Sequence, residues 1–262
     1  MAKLSVTVIA KNEAASISRA LESVAWADEL IVIDSRSTDD TVAIARRFTD
    51  RVIVREWPGY IEQKNHAASL ASHDWILSLD ADERVTPALA SQIRQAVASP
   101  AHAAYRLPRV TFHMGRWIRS TDWYPDHQTR LYDRRLARWT GRYVHEGISA
   151  DGAVGTLRQA LEHYPYTNVA AHLDTINKYT TDAARQMHEA GRKATLLDLF
   201  GHPPLAFLRN YVARGGFRDG RAGLVVSTLN AYYVFLKFAK LWELHNTRPS
   251  GSTTARSPKP EA

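Results

Sequence analysis

The chain of 262 residues is long enough for one large domain, or for a domain with an appendage, and its composition is that of an ordinary globular protein. It contains no cysteine, which excludes disulfides, thiolate catalysis and thiolate metal sites. A formal net charge of +7 points to an anionic partner: nucleic acid, a membrane surface or a phosphorylated substrate.

The amino terminus runs directly into a strand pattern without signal-peptide architecture, so a cytoplasmic protein is expected. Leu4 to Ala10 is a β-branched apolar run and reads as a central strand. Ala14 to Val24 has helical spacing, with Ile17, Leu21 and Val24 on one face. Glu29 to Asp34 is a second buried strand, followed by N-cap candidates at Ser35 to Asp40. A third strand is expected over Arg51 to Trp57, closed by Pro58-Gly59, and a helix over Tyr60 to Ala71. Trp75 to Asp80 is the fourth strand, and Thr86-Pro87 places an N-cap and a first-turn proline before a helix reaching Val97. Strands alternating with helices in this way predict a Rossmann-like α/β fold with a mostly parallel sheet.

After Ser99-Pro100 the pattern changes. Shorter strands are expected at Tyr105 to Phe112, Thr129 to Asp133 and Arg138 to Val144, separated by loops rich in Trp, Tyr, Arg and His. Helices follow from about Ala170, then over Pro204 to Ala213 and Ala222 to Leu244. The expected division is a catalytic domain over 1–168, a helical region over 169–248 and a disordered tail over 249–262, rich in Ser, Thr and Pro.

The chemistry is concentrated at strand ends. Asp80 and Asp82 follow an apolar strand at a spacing of two, so they leave an extended backbone on one side and can converge on a cation. Hard divalent ions such as Mg2+ or Mn2+ take oxygen ligands of this kind together with substrate phosphates. In a parallel sheet, Glu13 after the first strand and Asp34 at the end of the second share the same edge, where open α/β sheets bind ligands. That pattern points to a nucleotide site. The chain has no G-x-G-x-x-G after the first strand and no P-loop, which disfavours a dinucleotide oxidoreductase or a P-loop enzyme.

The segments VIAKNEA (8–14), ELIVIDSRSTDDT (29–41), QKNHA (63–67), WILSLDADE (75–83), YPDHQTRLY (124–132), VHEGI (144–148) and LEHYPY (161–166) resemble those of family 2 glycosyltransferases of the GT-A fold. More narrowly, they resemble the bacterial β-1,4-glucosyltransferases of the lipopolysaccharide inner core. The resemblance implies an inverting, metal-dependent transfer of a hexose, glucose being the first expectation, to a lipopolysaccharide core oligosaccharide or a similar glycolipid. It implies that Glu13 and Asp34 hold the base and ribose of a sugar nucleotide such as UDP-glucose, and that Lys64 sits near its phosphates. Asp80 would contact ribose or a metal water, Asp82 would ligate the Mg2+ or Mn2+, and His163 would complete the metal or diphosphate contacts. Glu146 is the candidate base, in His145-Glu146 where relatives carry Glu-Asp, with Asp126 as the alternative. Gln128, Arg130 and the loop Arg116 to Trp123 are expected to frame the acceptor, and Glu83 is left as a cap for the helix after Thr86.

Aromatic and basic residues interleave over Pro203 to Leu244, which suits a helix lying on an anionic bilayer, so peripheral attachment to the inner face of the cytoplasmic membrane is expected. Two other classes are consistent with parts of the pattern. A sugar-phosphate nucleotidyltransferase would carry a Gly-rich basic loop where Lys11-Asn12-Glu13 stands. A non-enzymatic basic module for nucleic acid or membrane would lack the acidic crevice, and nucleic acid is therefore not an expected partner.

Overall fold

The computed structural model describes residues 2–142 and 145–246, with only the backbone described at 142 and 145. The expected tail, and Val144 at the end of an expected strand, lie outside the described residues. The chain divides into two compact units, Met1–Asn168 and Val169–Ala262.

The first unit is built on a ten-stranded sheet, counted over the described residues. Its elements are β1 (Leu4–Ala10), α1 (Ile17–Glu22), β2 (Glu29–Asp34), α2 (Thr41–Ala45), β3 (Val52–Val54), α3 (Tyr60–Ser69), β4 (Trp75–Asp80), β5 (Glu83–Arg84) and α4 (Pro87–Ala98). These are followed by β6 (Ala104–His113), β7 (Arg116–Ile118), β8 (Asp126–Asp133), β9 (Ala137–Arg142), β10 (His145–Ala150), β11 (Val154–Thr156) and β12 (Leu161–His163). The main sheet runs β3-β2-β1-β4-β8-β6-β12-β5, with β7 and β11 also on β6, while β9 and β10 form a separate hairpin. β1 to β4 are mutually parallel, and β8 enters antiparallel between β4 and β6. The sheet is therefore mixed but mostly parallel.

β1 is buried along its whole length because it lies between β2 and β4 with both faces covered. Alternate side chains enter two cores. Val6, Val8, Val32, Leu77 and Leu79 pack with Ile17, Leu21, Leu89 and Ile93 from α1 and α4. Ile9, Ile31, Ile33 and Ile76 pack with Ala67 and Ala68 of α3 and with Trp139 of β9. Thr86 caps α4 through its hydroxyl, which accepts from the Leu89 N–H at 3.1 Å, and Pro87 occupies the first turn. Glu83 has a different place from the expected cap, described below.

The second unit contains α5 (Val169–Glu189), α6 (Leu196–Phe200), α7 (His202–Leu208), a π turn over Arg209–Ala213, a 3-10 turn over Gly216–Asp219 and α8 (Gly220–Asn246). Ala184 of α5 packs with Phe238 and Leu241 of α8, joined by Leu199 of α6. Gly223 permits α8 to start against the 3-10 turn, since a Cβ there would overlap the Gly216 carbonyl. Thr195 and Asp198 form a reciprocal capping box at the start of α6.

Candidate active site

Three parallel strands end side by side. Ala10 pairs with Asp34 and Ile9 with Asp80, so the carboxyl ends of β1, β2 and β4 present Glu13, Asp34, Asp80 and Asp82 along one edge. The loops beyond β1 and β2 are laced together. The Asn12 N–H donates to Ser37 at 2.8 Å, its side-chain oxygen accepts from the Thr38 N–H at 2.8 Å, and the Glu13 N–H donates to Thr41 at 2.7 Å. Asn12 and Arg36 both adopt φ of 56°, a left-handed conformation that asparagine accepts more readily than most residues.

Asp34 is fully buried and accepts from both the backbone N–H and the hydroxyl of Ser37, which fixes the loop after β2. Both Asp34 oxygens thus accept from Ser37. Glu13 is more open and accepts from the Ser16 hydroxyl. Burial raises its carboxyl above the ordinary 4.5, and the charges of Asp82, Asp39 and Asp80 add to that rise against the Ser16 hydrogen bond.

Asp80 is held by two cations. Arg130 donates to one oxygen at 2.5 Å, and Lys64 lies 3.3 Å from the other. Burial alone would raise the Asp80 carboxyl, but Arg130, Lys64 and Arg109 hold it well below the ordinary 3.8. Arg130 is itself buried and also donates to Glu83 at 2.6 Å. Glu83, with no exposed surface, accepts in addition from Arg109 at 3.2 Å and from the Asp80 N–H at 3.0 Å. Glu83 is thus the anionic centre of a network with Arg130 and Arg109, and Arg130, expected to frame an acceptor, is buried with its guanidinium paired to Asp80 and Glu83. Charged residues in sequence read as surface, and only the β4–β8 and β6–β8 pairings reveal that these are interior.

Asp82 is oriented differently. The Tyr164 N–H donates to its carbonyl at 2.9 Å, and its carboxylate lies 3.3 Å from His163 Nε2. His163 is placed by β12, where it pairs with Thr111 of β6 and Glu83 of β5. Its Nδ1 is 3.1 Å from the Thr111 hydroxyl, a contact that orients the ring so that Nε2 faces Asp82. Among the described residues no cluster of three or more His, Asp or Glu could hold a metal ion alone. Of the expected set of Asp80, Asp82 and His163, Asp82 and His163 lie side by side, whereas the Asp80 carboxylate is paired with Arg130 and Lys64. A carboxylate with one imidazole, leaving positions for water and phosphate oxygens, is a donor set that a hard divalent ion can accept.

A cavity of about 360 Å³ lies elsewhere, lined by Leu21, Val24, Leu30 and Phe48 among others. It sits by Glu29, at the amino end of β2, opposite the end that carries Asp34. The chemistry-bearing side chains do not face it.

The sequence profile of glycosyl transferase family 2 matches residues 5–165, a span holding every strand of the main sheet. This chain belongs to glycosyl transferase family 2. The lipopolysaccharide core biosynthesis glycosyltransferase LpsC of Rhizobium meliloti is 32% identical over 255 residues, covering 92% of this chain and 93% of that protein. A Rickettsia felis protein known only as a glycosyltransferase is 34% identical over 257 residues, covering 93% of this chain and 90% of its own. Among solved structures, S. aureus TarS 1-349 aligns with a TM-score of 0.47 at 13% identity, covering 93% of this chain and 91% of that one.

The glycosyltransferase carries its two candidate bases in unlike settings. Glu146 of β10 is largely buried and lies 3.5 Å from Lys64, whose ammonium sits 4.2 Å from the Trp139 ring centroid. Lys64 therefore bridges Glu146 and Asp80. Asp126 is clamped by Arg109 at 2.9 and 2.6 Å on one oxygen and by Gln128 at 2.7 Å on the other. Its oxygens are committed to protein donors, and Gln128 is spent on the same group.

Of the expected acceptor loop, Arg116 to Ile118 forms β7 on β6. Trp117 packs edge-on to Phe112 and Tyr164, with centroids 5.2 and 5.3 Å away, and Arg84 lies 3.7 Å over the Tyr164 ring. This aromatic group adjoins Asp82 through Tyr164. Sequence reading did not find it, because its members come from three separated segments.

Proposed function

We propose that this family 2 glycosyltransferase moves a hexose, with inversion, from a nucleoside-diphosphate sugar to a lipopolysaccharide core oligosaccharide or a similar glycolipid. The observation that carries the reading is Lys64, which joins the donor-edge carboxylate of Asp80 to Glu146 at 3.3 and 3.5 Å. One cation thereby sets the distance between a diphosphate-binding edge and a carboxylate able to take a proton. The 32% identity with LpsC over nearly the whole chain supports the choice of acceptor.

In this reading Glu13 and Asp34 receive the base and ribose, and Lys64 neutralises diphosphate charge. Asp82 and His163 would hold Mg2+ or Mn2+, which when bound offsets the charge that grows on the departing diphosphate. Glu146 accepts the proton of an acceptor hydroxyl as that oxygen forms its bond to the anomeric carbon. The bond from that carbon to the diphosphate breaks, and its electron pair leaves with the phosphate. Attack opposite the leaving group inverts the centre. The aromatic group of Trp117 and Tyr164 offers an apolar wall for the acceptor, and Arg84 a cation for its phosphates.

We also assign the second unit to peripheral attachment at the cytoplasmic face of the membrane, where a lipid-linked acceptor is presented. α8 with the preceding turn, Gly216–Asn246, is long and apolar enough to cross a membrane by length and composition, its 18-residue apolar window having a mean hydropathy of 1.3. Its polar contacts favour a packed helix: Lys240 donates to the Asn177 carbonyl at 2.6 Å and to Thr180 and Thr181 at 2.9 and 2.7 Å, and Asn210 donates to Asn230 at 2.9 Å.

The test is a transfer assay with a panel of nucleotide sugars and truncated lipopolysaccharide acceptors, with and without EDTA. Metal-dependent formation of an inverted glycoside is expected. Nucleotidyl transfer to a sugar phosphate, or no turnover with any donor, would contradict the reading.

A further inference from the structure

The second unit exposes large apolar side chains far beyond what single surface leucines require. Leu196, Leu197 and Phe200 of α6, Leu205 and Leu208 of α7, Val212 of the π turn and Phe217 of the 3-10 turn are each 52–75% exposed. Leu205, Leu208 and Val212 recur at intervals of three and four, so they follow one side of α7 and its continuation. The opposite side is fixed to the unit by Ala206 and Asn210, both buried. Phe207, Tyr211 and Phe217 form a chain of rings at 5.3 and 6.4 Å that joins α7 to the 3-10 turn. The surface is therefore a connected relief on packed elements, not a set of frayed ends.

Its charge is of one sign. Between residues 192 and 221 the basic residues are Arg192, Lys193, Arg209, Arg214, Arg218 and Arg221, all of them exposed. The two acids, Asp198 and Asp219, are both buried. Asp198 accepts from Arg192, from the Thr195 N–H and from the Thr195 hydroxyl, so its charge is used inside the capping box. Exposed apolar side chains interspersed in sequence with exposed arginines, with both acids of the stretch buried, are complementary to the headgroup and upper acyl region of an anionic bilayer. A partner protein surface of equal size would be met by mixed charges at the rim.

α8 is differently disposed. Its Ala222, Gly223, Val226, Ser227, Phe238 and Leu241 are buried and Lys240 is satisfied by α5, while Leu224, Tyr232, Phe235, Trp242 and Leu244 are 38–49% exposed, each less than any member of the Leu196 to Phe217 face. We propose that the face running from Leu196 to Phe217 is the surface that inserts into an anionic bilayer, and that α8 is the packed helix that supports it. This deepens the membrane assignment made above and rests on it: the inserting element is α6, α7 and the turns after them, not the long apolar helix.

The test is flotation of the full chain with phosphatidylcholine vesicles, with or without phosphatidylglycerol. The wild type should bind the anionic vesicles. Phe200→Ser, Leu205→Ser and Leu208→Ser together should lower binding about tenfold or more, with an unchanged circular dichroism spectrum and melting temperature. Arg218→Gln with Arg221→Gln should weaken binding to anionic vesicles and leave the small binding to neutral ones unaltered. Tyr232→Ser with Trp242→Ser in α8 should bind as the wild type does. If the wild type binds and the triple variant binds equally, the face is wrongly assigned while peripheral attachment stands. If the α8 pair loses binding and the triple variant keeps it, α8 is the inserting element. A wild type that binds neither vesicle removes the membrane assignment itself. A lipid-free dimer that the triple variant dissociates would make this face a contact between two copies.

Discussion

Arg130 donates to Asp80 at 2.5 Å while lying 3% exposed beneath the donor edge, and through Glu83 it shares that task with Arg109. A buried guanidinium between two carboxylates is costly to desolvate, and removing it leaves Asp80 paired with Lys64 alone, and Glu83 with Arg109 alone, among the described residues. Arg130→Met should destabilise the protein by about 3–5 kcal/mol in chemical denaturation. Arg130→Lys should recover part of that stability, yet still bind the donor more weakly, because the ammonium on a shorter side chain falls short of the Nη2 position from which Arg130 meets both Asp80 and Glu83. Equal donor affinity in Arg130→Lys and wild type would show that Asp80 needs no such orientation.

The bases can be told apart by what surrounds them. Glu146→Gln should lower kcat by about a hundredfold to ten-thousandfold, the usual span for losing a general base, with donor affinity little changed. Asp126→Asn should act mainly on stability, since it frees the Arg109 clamp. Steady-state kinetics and denaturation on both variants decide the matter; a kcat loss confined to Asp126→Asn would reverse the assignment.

Lys64 joins Asp80 to Glu146, so under the proposed roles its loss should touch both donor binding and turnover. Lys64→Met should weaken binding of a nucleoside diphosphate by about tenfold or more, the scale of one charged hydrogen bond, and should lower kcat as well. Calorimetric titration with the free diphosphate isolates the first effect. A variant with intact diphosphate affinity and reduced kcat would confine Lys64 to Glu146.

Acid stability offers a control away from the site. Asp133 is nearly buried, which would raise its carboxyl, but the side-chain and backbone donors of Arg135 hold it below the ordinary 3.8. Its contribution is therefore present above that value and lost as the pH falls through the folded-state value. Asp133→Asn should be less stable than the wild type at neutral pH, and the difference should shrink below about pH 4. Urea melts across that range check it, and a constant difference would exclude the linkage.

Much of the first unit was legible because its strands are continuous apolar runs. β1, β2 and β4 have the expected bounds, since strands buried on both faces show no polar alternation to confuse them. β5 and β12 were not foreseen: two- and three-residue strands carry no periodicity, yet they hold His163 beside Asp82. The Asp-X-Asp pair was read as chemistry with a different part for each acid, but the pairing of Asp80 with Lys64 and Arg130 was not foreseen, because those cations arrive from α3 and β8. In the second unit the aromatic and basic composition was visible. How far each helix turns its apolar residues outward was not, since Leu205 and Leu208 of α7 and Tyr232 and Trp242 of α8 differ in exposure through packing alone.

The central claim is that the carboxyl ends of β1, β2 and β4 form a metal-assisted site for a nucleoside-diphosphate sugar. Thermal unfolding of wild type and Asp82→Asn, with UDP-glucose and related donors in the presence or absence of Mg2+ or Mn2+, tests it most directly. A donor at a hundredfold excess over its Kd should stabilise the wild type by about 2.7 kcal/mol. That gain should require the metal and vanish in Asp82→Asn. Metal-independent stabilisation, or an Asp82→Asn response equal to that of the wild type, would contradict the account.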